Sequence, residues 1–225
     1  MKYTGMMTTE DISDTDYDFL YKIMVVGDMA TGKTNIAQRF LGQQFENTSP
    51  TCAVEFAFKD YTSETDDRLR LQVWDTSGDD KHKCITFAHL RRALGVILVY
   101  DVCNQDSFFN LHYWIDVVRE NADEHVMILL MPNKCDLLLK HPEKRQIKRE
   151  MAEELARKQK LLFLNECSAK LEINIEESFE YLISNVHRTQ MELIQQKKRP
   201  ATTLRLTIEK EIEMERRREQ DKCCK

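Results

Sequence analysis

One octapeptide, Gly27-Asp28-Met29-Ala30-Thr31-Gly32-Lys33-Thr34, constrains this chain more than any other feature. It follows an apolar run at residues 21–26 and precedes a helical stretch that opens over residues 36–41. Strand, glycine-rich turn and helix in that order form the context in which GxxxxGK[ST] acts as a phosphate cradle. The glycines let backbone wrap an anion, and the turn's N–H groups and the helix N-terminus face it. Asp28, Met29, Ala30, Thr31 and Gly32 are therefore expected around phosphate oxygens. Lys33 is expected to neutralise the β and γ phosphates, and the Thr34 hydroxyl to bind Mg²⁺.

The rest of the chain supplies a scaffold suited to such a loop. Short apolar runs at 96–101 and 126–131 read as buried strands, as does 161–164, and 54–61 and 69–74 as a pair of strands joined through a polar turn at 63–68. Phe108, Leu111, Ile115 and Val118 recur at the spacing of one helix face, and 147–158 and 175–187 read as further helices. Strands alternate with helices over residues 19–190, which implies βαβ units and a largely parallel sheet with helices on both faces. The early strand pair makes that sheet mixed. Residues 1–18 read as an acidic, flexible leader and 191–225 as a charged tail, with Pro200 as a break.

Charge and cysteine usage exclude several classes. The formal net charge is −5, yet residues 197–225 hold ten Lys and Arg against six Asp and Glu. The body is thus acidic, which argues against nucleic-acid binding, and the tail is basic, which suits a membrane surface. No CxxC pair occurs among the seven cysteines, so no zinc site is indicated. No run is long and apolar enough for a transmembrane helix, and the start lacks a secretory signal or a glycine for myristoylation.

Three further motifs narrow the ligand. Asp75 ends a strand in Trp74-Asp75-Thr76-Ser77-Gly78, where a carboxylate reaches the Mg²⁺ shell and the Gly78 N–H can contact a γ-phosphate. Asn133-Lys134-Cys135-Asp136 follows the strand at 126–131. The Asp136 carboxylate can accept two hydrogen bonds from the N1–H and N2–H₂ edge of guanine, a pair that adenine cannot offer. Asn133 can bond N7, and the Lys134 stem can lie over the base. In Ser168-Ala169-Lys170 a backbone N–H can reach the guanine O6.

These four elements, in this order, resemble the Ras superfamily of small GTPases and most closely its Rab family. WDTSG, the LVYDV strand, NKCD and two terminal cysteines carry the likeness, over about residues 19–190 and the last three. The resemblance implies the small-GTPase form of the P-loop NTPase α/β fold, with a six-stranded, mostly parallel sheet and one antiparallel edge strand. It implies GTP and GDP as ligands, Mg²⁺ held by Thr34, Thr51 and Asp75, and Phe45 against the base. It also implies a guanine nucleotide exchange factor, a GAP, a GDP-dissociation inhibitor or prenylation escort protein, and effectors in vesicle trafficking.

Two departures from that family bear on one chemical step. Asp79 stands where a water-orienting Gln is usual, and its charge would face an anionic γ-phosphate. Met29 stands where Rabs carry a small residue, crowding the attacking water. Slow intrinsic hydrolysis is the expectation, with Lys33, Thr51, Gly78 and an atypical Asp79 as the catalytic set and a constitutively GTP-bound membrane scaffold as the alternative. The segment 46–50 is about one residue shorter than usual. On the effector face Phe56 and Trp74 are retained, while His89 replaces a Tyr. Pro132 precedes Asn133 in place of a small residue.

The ending Cys223-Cys224-Lys225 is not a CaaX box. It resembles the Rab double-cysteine ending, which implies two geranylgeranyl chains. Two lipids anchor stably where one is marginal, and the nearby Arg216, Arg217, Arg218 and Lys222 each add about 1 kcal/mol near anionic lipid. The expected location is the cytoplasmic face of an intracellular membrane, with a cytosolic pool. A Cys223→Ser, Cys224→Ser double variant is expected to shift from the membrane to the soluble fraction of fractionated cells; persistent membrane association rules out lipids on these thiols.

Overall fold

β1 (Phe19–Val26) is buried on both faces, and the architecture is arranged around it. A computed structural model describes residues 17–46, 54–78 and 88–195. Thr51, Asp79, the shortened segment beyond Glu46, Cys223 and Cys224 lie outside the described residues. A strand covered on both sides carries a continuous apolar run rather than an alternating one. The exception inside β1 is Lys22, whose ammonium lies 4.2 Å from the centroid of the Trp74 ring.

The remaining elements follow as α1 (Lys33–Phe40), β2 (Glu55–Thr62), β3 (Arg68–Asp75), β4 (Gly95–Asp101), α2 (Gln105–Phe109), α3 (Leu111–Asn121), β5 (Met127–Asn133), α4 (Asp136–Lys140), α5 (Arg149–Gln159), β6 (Leu162–Phe163) and α6 (Ile175–Gln195). A 3₁₀ turn at Pro142–Lys144 separates α4 from α5. The sheet has six strands in the order β2-β3-β1-β4-β5-β6. β1 pairs in parallel with β3 and β4, β4 with β5 and β5 with β6; β2 runs antiparallel to β3 at the edge. This is the expected mixed sheet. Its chain order reverses at β1, and ligands of open α/β sheets gather beyond the carboxyl ends of the strands at such a point.

Period-two alternation divides β1 between two cores. Tyr21, Ile23 and Val25 join Leu71, Val73, Ile97 and Val99 against α1 and α6, through Ile36, Phe40, Phe179 and Leu182. Met24 and Val26 join Val96, Leu98 and Tyr100 against α3 and α5, through Leu111, Trp114, Ile115 and Leu155. Helices therefore cover both faces, as the alternation of elements predicts.

Three details differ from the sequence reading. The helix expected through Phe108, Leu111, Ile115 and Val118 breaks at Asn110 into α2 and α3, with Asn104 capping the first by accepting from the Asp106 and Ser107 amides. α4 is five residues long with none buried, so it leaves no periodic signal. The last helix runs to Gln195 rather than His187. Polar Asn185, His187 and Gln190 mask its apolar spacing, yet all three are buried.

The His187 ring shows why a polar residue is tolerated there. Nδ1 pairs with the Tyr21 hydroxyl at 2.7 Å and Nε2 with Asp67 Oδ2 at 3.0 Å. Thr65 Oγ1 also donates to that carboxylate oxygen. The turn of the β2–β3 hairpin is thus tied to α6. Among the described residues no helix is long and apolar enough to cross a membrane.

On the opposite half of α6, Phe40 and Phe179 stack with centroids 3.7 Å apart and planes 4° from parallel. Both are fully buried. Phe179→Ala removes this contact and leaves a void, so it is expected to lower the unfolding free energy by about 3–5 kcal/mol in urea titrations, with the m-value unchanged.

Candidate functional site

The loop from β1 to α1 folds as its sequence requires. Gly27 has φ 139°, and a Cβ there would overlap the Val99 carbonyl of β4. The Asp28 carbonyl accepts from Thr31 Oγ1 at 2.9 Å and from Lys33 Nζ at 2.8 Å. Gly32 stands in the left-handed region at the N-cap of α1 and no side chain caps that terminus, so its amides serve the loop's concavity. Lys33 is buried within it, and burial pushes its pKa down to about 8, against the upward pull of Asp75 and Asp28. A buried ammonium in a ring of backbone donors is a site built for an anion.

Asp28 itself does something its motif position does not reveal. Its carboxylate turns away from the concavity, accepting from Trp114 Nε1 and Asn110 Nδ2, both at 2.7 Å. The back of the loop is thereby fastened to the break between α2 and α3.

At the mouth, Thr34 Oγ1 donates to Asp75 Oδ2 at 2.6 Å. Asp75 Oδ1 is buried with no hydrogen-bond partner among the described residues. Burial, the largest influence, raises the Asp75 pKa, while Thr34 and the Lys33 charge oppose that rise. A hydroxyl beside a carboxylate with a spare buried oxygen fits a hard divalent cation, which takes oxygen donors. No cluster of three or more His, Cys, Asp and Glu occurs among the described residues. Mg²⁺ is held by one or two carboxylates together with phosphate oxygens and water, and Asp75 beside Thr34 supplies a donor set of that kind. Gly78 closes this end: a Cβ there would overlap backbone of Asp28 and Met29 and the Lys33 ammonium.

The other end is built from the carboxyl ends of β4 and β5. Asn133 is buried, donating from Nδ2 to the Thr31 carbonyl at 2.9 Å and accepting on Oδ1 from the Ala169 amide at 3.2 Å. Lys134 sits at φ 69° and donates to the Ala30 carbonyl at 2.6 Å. Asp136 Oδ1 accepts from Ser168 Oγ at 2.7 Å. Arg39 Nε of α1 donates to the Ala169 carbonyl at 2.9 Å and fixes the turn from below.

Both ends open into one cavity of about 440 Å³. Of the residues expected from sequence, Met29, Ala30, Gly32, Lys33, Thr34, Phe45, Gly78, Asn133, Lys134, Asp136, Ala169 and Lys170 line it. Asp28, Thr31, Asp75 and Ser168 stand just behind that lining, bonded to it. Asn35, Glu46, Thr76 and Leu137 also line the cavity and were missed. Each adjoins a motif residue, and that adjacency was the signal available.

Phe56, Trp74 and His89 come together at the β2–β3 edge of the sheet. Phe56 stacks on Trp74 at 4.7 Å, and His89 lies 5.0 Å from Trp74. Trp74 is only 1% exposed, so it forms the floor while Phe56 and His89 reach the surface.

The Ras family profile matches residues 22–188. The chain is 40% identical over 171 residues to Ras-related protein Rab-13 of Rattus norvegicus, covering 76% of this chain and 81% of that one. It is 38% identical over 177 residues to Ras-related protein Rab-11A of Dictyostelium discoideum, covering 78% and 79%. Against Ras-related protein Rab-8B of Bos taurus it is 39% identical over 171 residues, covering 76% and 80%.

The depressed Lys33 pKa makes anion binding depend on pH. Below about 8 the free site is already protonated; between about 8 and the ordinary value of 10.5 it must take up a proton as an anion binds. Affinity for nucleotide is therefore expected to fall as pH rises through this window and to be flat below it. Calorimetry in two buffers of different ionisation enthalpy is expected to show uptake approaching one proton near pH 9 and little near pH 7. The uptake is expected to vanish in Lys33→Met.

Proposed function

We propose that this chain, which belongs to the Ras family and is a Rab-like small GTPase, is a membrane-anchored GTP/GDP switch of vesicle trafficking that hydrolyses GTP slowly. The observation that carries the reading is the single cavity joining a buried Lys33 to the Asp136 carboxylate. One end suits phosphate and the other the guanine edge. Lys33 and the loop amides hold the β and γ phosphates, and Gly78 contacts the γ-phosphate. Thr34, Thr51 and Asp75 would hold Mg²⁺, which would supply positive charge to offset the charge that develops on the phosphates. Asp136 accepts from the guanine N1–H and N2–H₂, Asn133 serves N7, and a backbone N–H of the Ser168–Lys170 turn serves O6. The Lys134 stem and Phe45 flank the base.

Vesicle trafficking rests on the Rab-named relatives. Exchange factor, GAP, GDP-dissociation inhibitor or escort protein, and effectors meeting Phe56, Trp74 and His89 follow from membership of that family. Geranylgeranyl groups on Cys223 and Cys224 provide the anchor.

Slow hydrolysis rests on Asp79 and Met29. Met29 is 55% exposed and lines the cavity beside Gly78, where an attacking water must pass. The same two residues favour the second reading, a GTP-bound scaffold with negligible turnover. The test is to denature the purified protein and identify the released nucleotide by chromatography. Mostly GTP is expected. Mostly GDP removes the hydrolysis defect, and no guanine nucleotide removes the whole reading. Asp79→Gln is then expected to speed single-turnover cleavage by about tenfold or more, the factor set by an oriented water. No change would move the defect to Met29 or to the geometry of the switch segment.

A further inference from the structure

Asp101, the last residue of β4, belongs to none of the four motifs. It is nevertheless buried, and Lys134 Nζ lies 2.8 Å from its Oδ2. The same ammonium donates to the Ala30 carbonyl at 2.6 Å. One lysine therefore spans from the end of β4 to the phosphate loop. Both residues it braces by backbone, Lys134 at φ 69° and Ala30 at φ 62°, hold left-handed conformations unusual for residues with a Cβ. Such conformations persist only where surrounding contacts fix them.

Asp101 is itself held from two sides. Its Oδ1 accepts from the Cys103 amide at 2.8 Å, and its own amide donates to Ser107 Oγ at 3.1 Å. The parallel ladder sets Asp101 opposite Asn133, the residue before Lys134. The carboxylate thus has a fixed position relative to the base loop before any ligand arrives.

We infer that Asp101 is a positioning residue for guanine nucleotide retention: through Lys134 it locks the phosphate loop to the base loop. This rests on the guanine nucleotide reading above and adds a residue to it. With Asp101 neutralised, the ammonium loses its charged partner, and the Ala30–Lys134 link relaxes. Nucleotide then leaves faster, although Asp101 itself does not meet the ligand.

The test is a double-mutant cycle on release of a fluorescent GDP analogue from the full chain with Mg²⁺, using Asp101→Asn, Lys134→Ala and both. An asparagine still accepts from the Cys103 amide, so the local turn is kept. Asp101→Asn is expected to speed release by about tenfold, the scale of one charge-assisted hydrogen bond. The double variant is expected to release no faster than Lys134→Ala alone, because the effect runs through that lysine. Effects that multiply in the double variant overturn the proposal, as does unaltered release from Asp101→Asn. If Asp101→Asn does not accumulate as folded protein, Asp101→Glu, whose longer side chain displaces the ammonium, replaces it in the cycle with the same expectations. A parent chain that retains no guanine analogue overturns the guanine reading and this inference together. A parent that retains it, with a multiplicative cycle, overturns only the role of Asp101.

Discussion

The side-chain amide of Asn133 is the contact on which the site's assembly depends. Parallel pairing carries the ends of β1, β4 and β5 to one edge, but the loops beyond those ends share no strand ladder. Asn133 joins them by donating to Thr31 in the phosphate loop and accepting from Ala169 in the turn after β6. Both bonds are buried, where losing one partner costs the other its full desolvation penalty. A residue that reads as a ligand contact is therefore first a staple.

This arrangement holds charge where charge is costly. Lys33 and Asp75 are both buried, and burial opposes the charged form of each. Their mutual attraction offsets only part of that cost, and an anion with its cation offsets more. Binding energy from the ligand thus appears partly as stability of the fold, in proportion to the logarithm of ligand excess. The arrangement favours a protein that is seldom empty.

Much of this was legible in the sequence because its signals are local. The phosphate loop, Asp75, Asn133–Asp136 and Ser168–Lys170 each lie at a strand end that hydrophobic pattern alone can place, and all of them meet at the site. The six-stranded, mostly parallel sheet and its antiparallel edge also follow the expectation. What could not be read depends on partners far away in sequence. The outward turn of Asp28 needs Asn110 and Trp114, 82 and 86 residues on. The extension of α6 needs Tyr21 and Asp67 to satisfy His187. Asp101 ends its strand as expected, but its ion pair could not be read because its lysine lies on the neighbouring strand's loop. The break at Asn110 was hidden because the apolar spacing continues across it.

The bond set around His187 has a consequence for how this domain can be recombined. The β2–β3 hairpin is anchored at its turn by a histidine from the far end of the chain, so its register is fixed at both its sheet face and its tip. A strand slipped by one residue would reverse its faces and also pull Asp67 from the ring. The hairpin is consequently not a self-contained module. A chimera that exchanges it with a relative's hairpin must bring the residue at 187 with it, and a truncation that stops short of α6 removes a wall of a turn more than a hundred residues earlier in the chain.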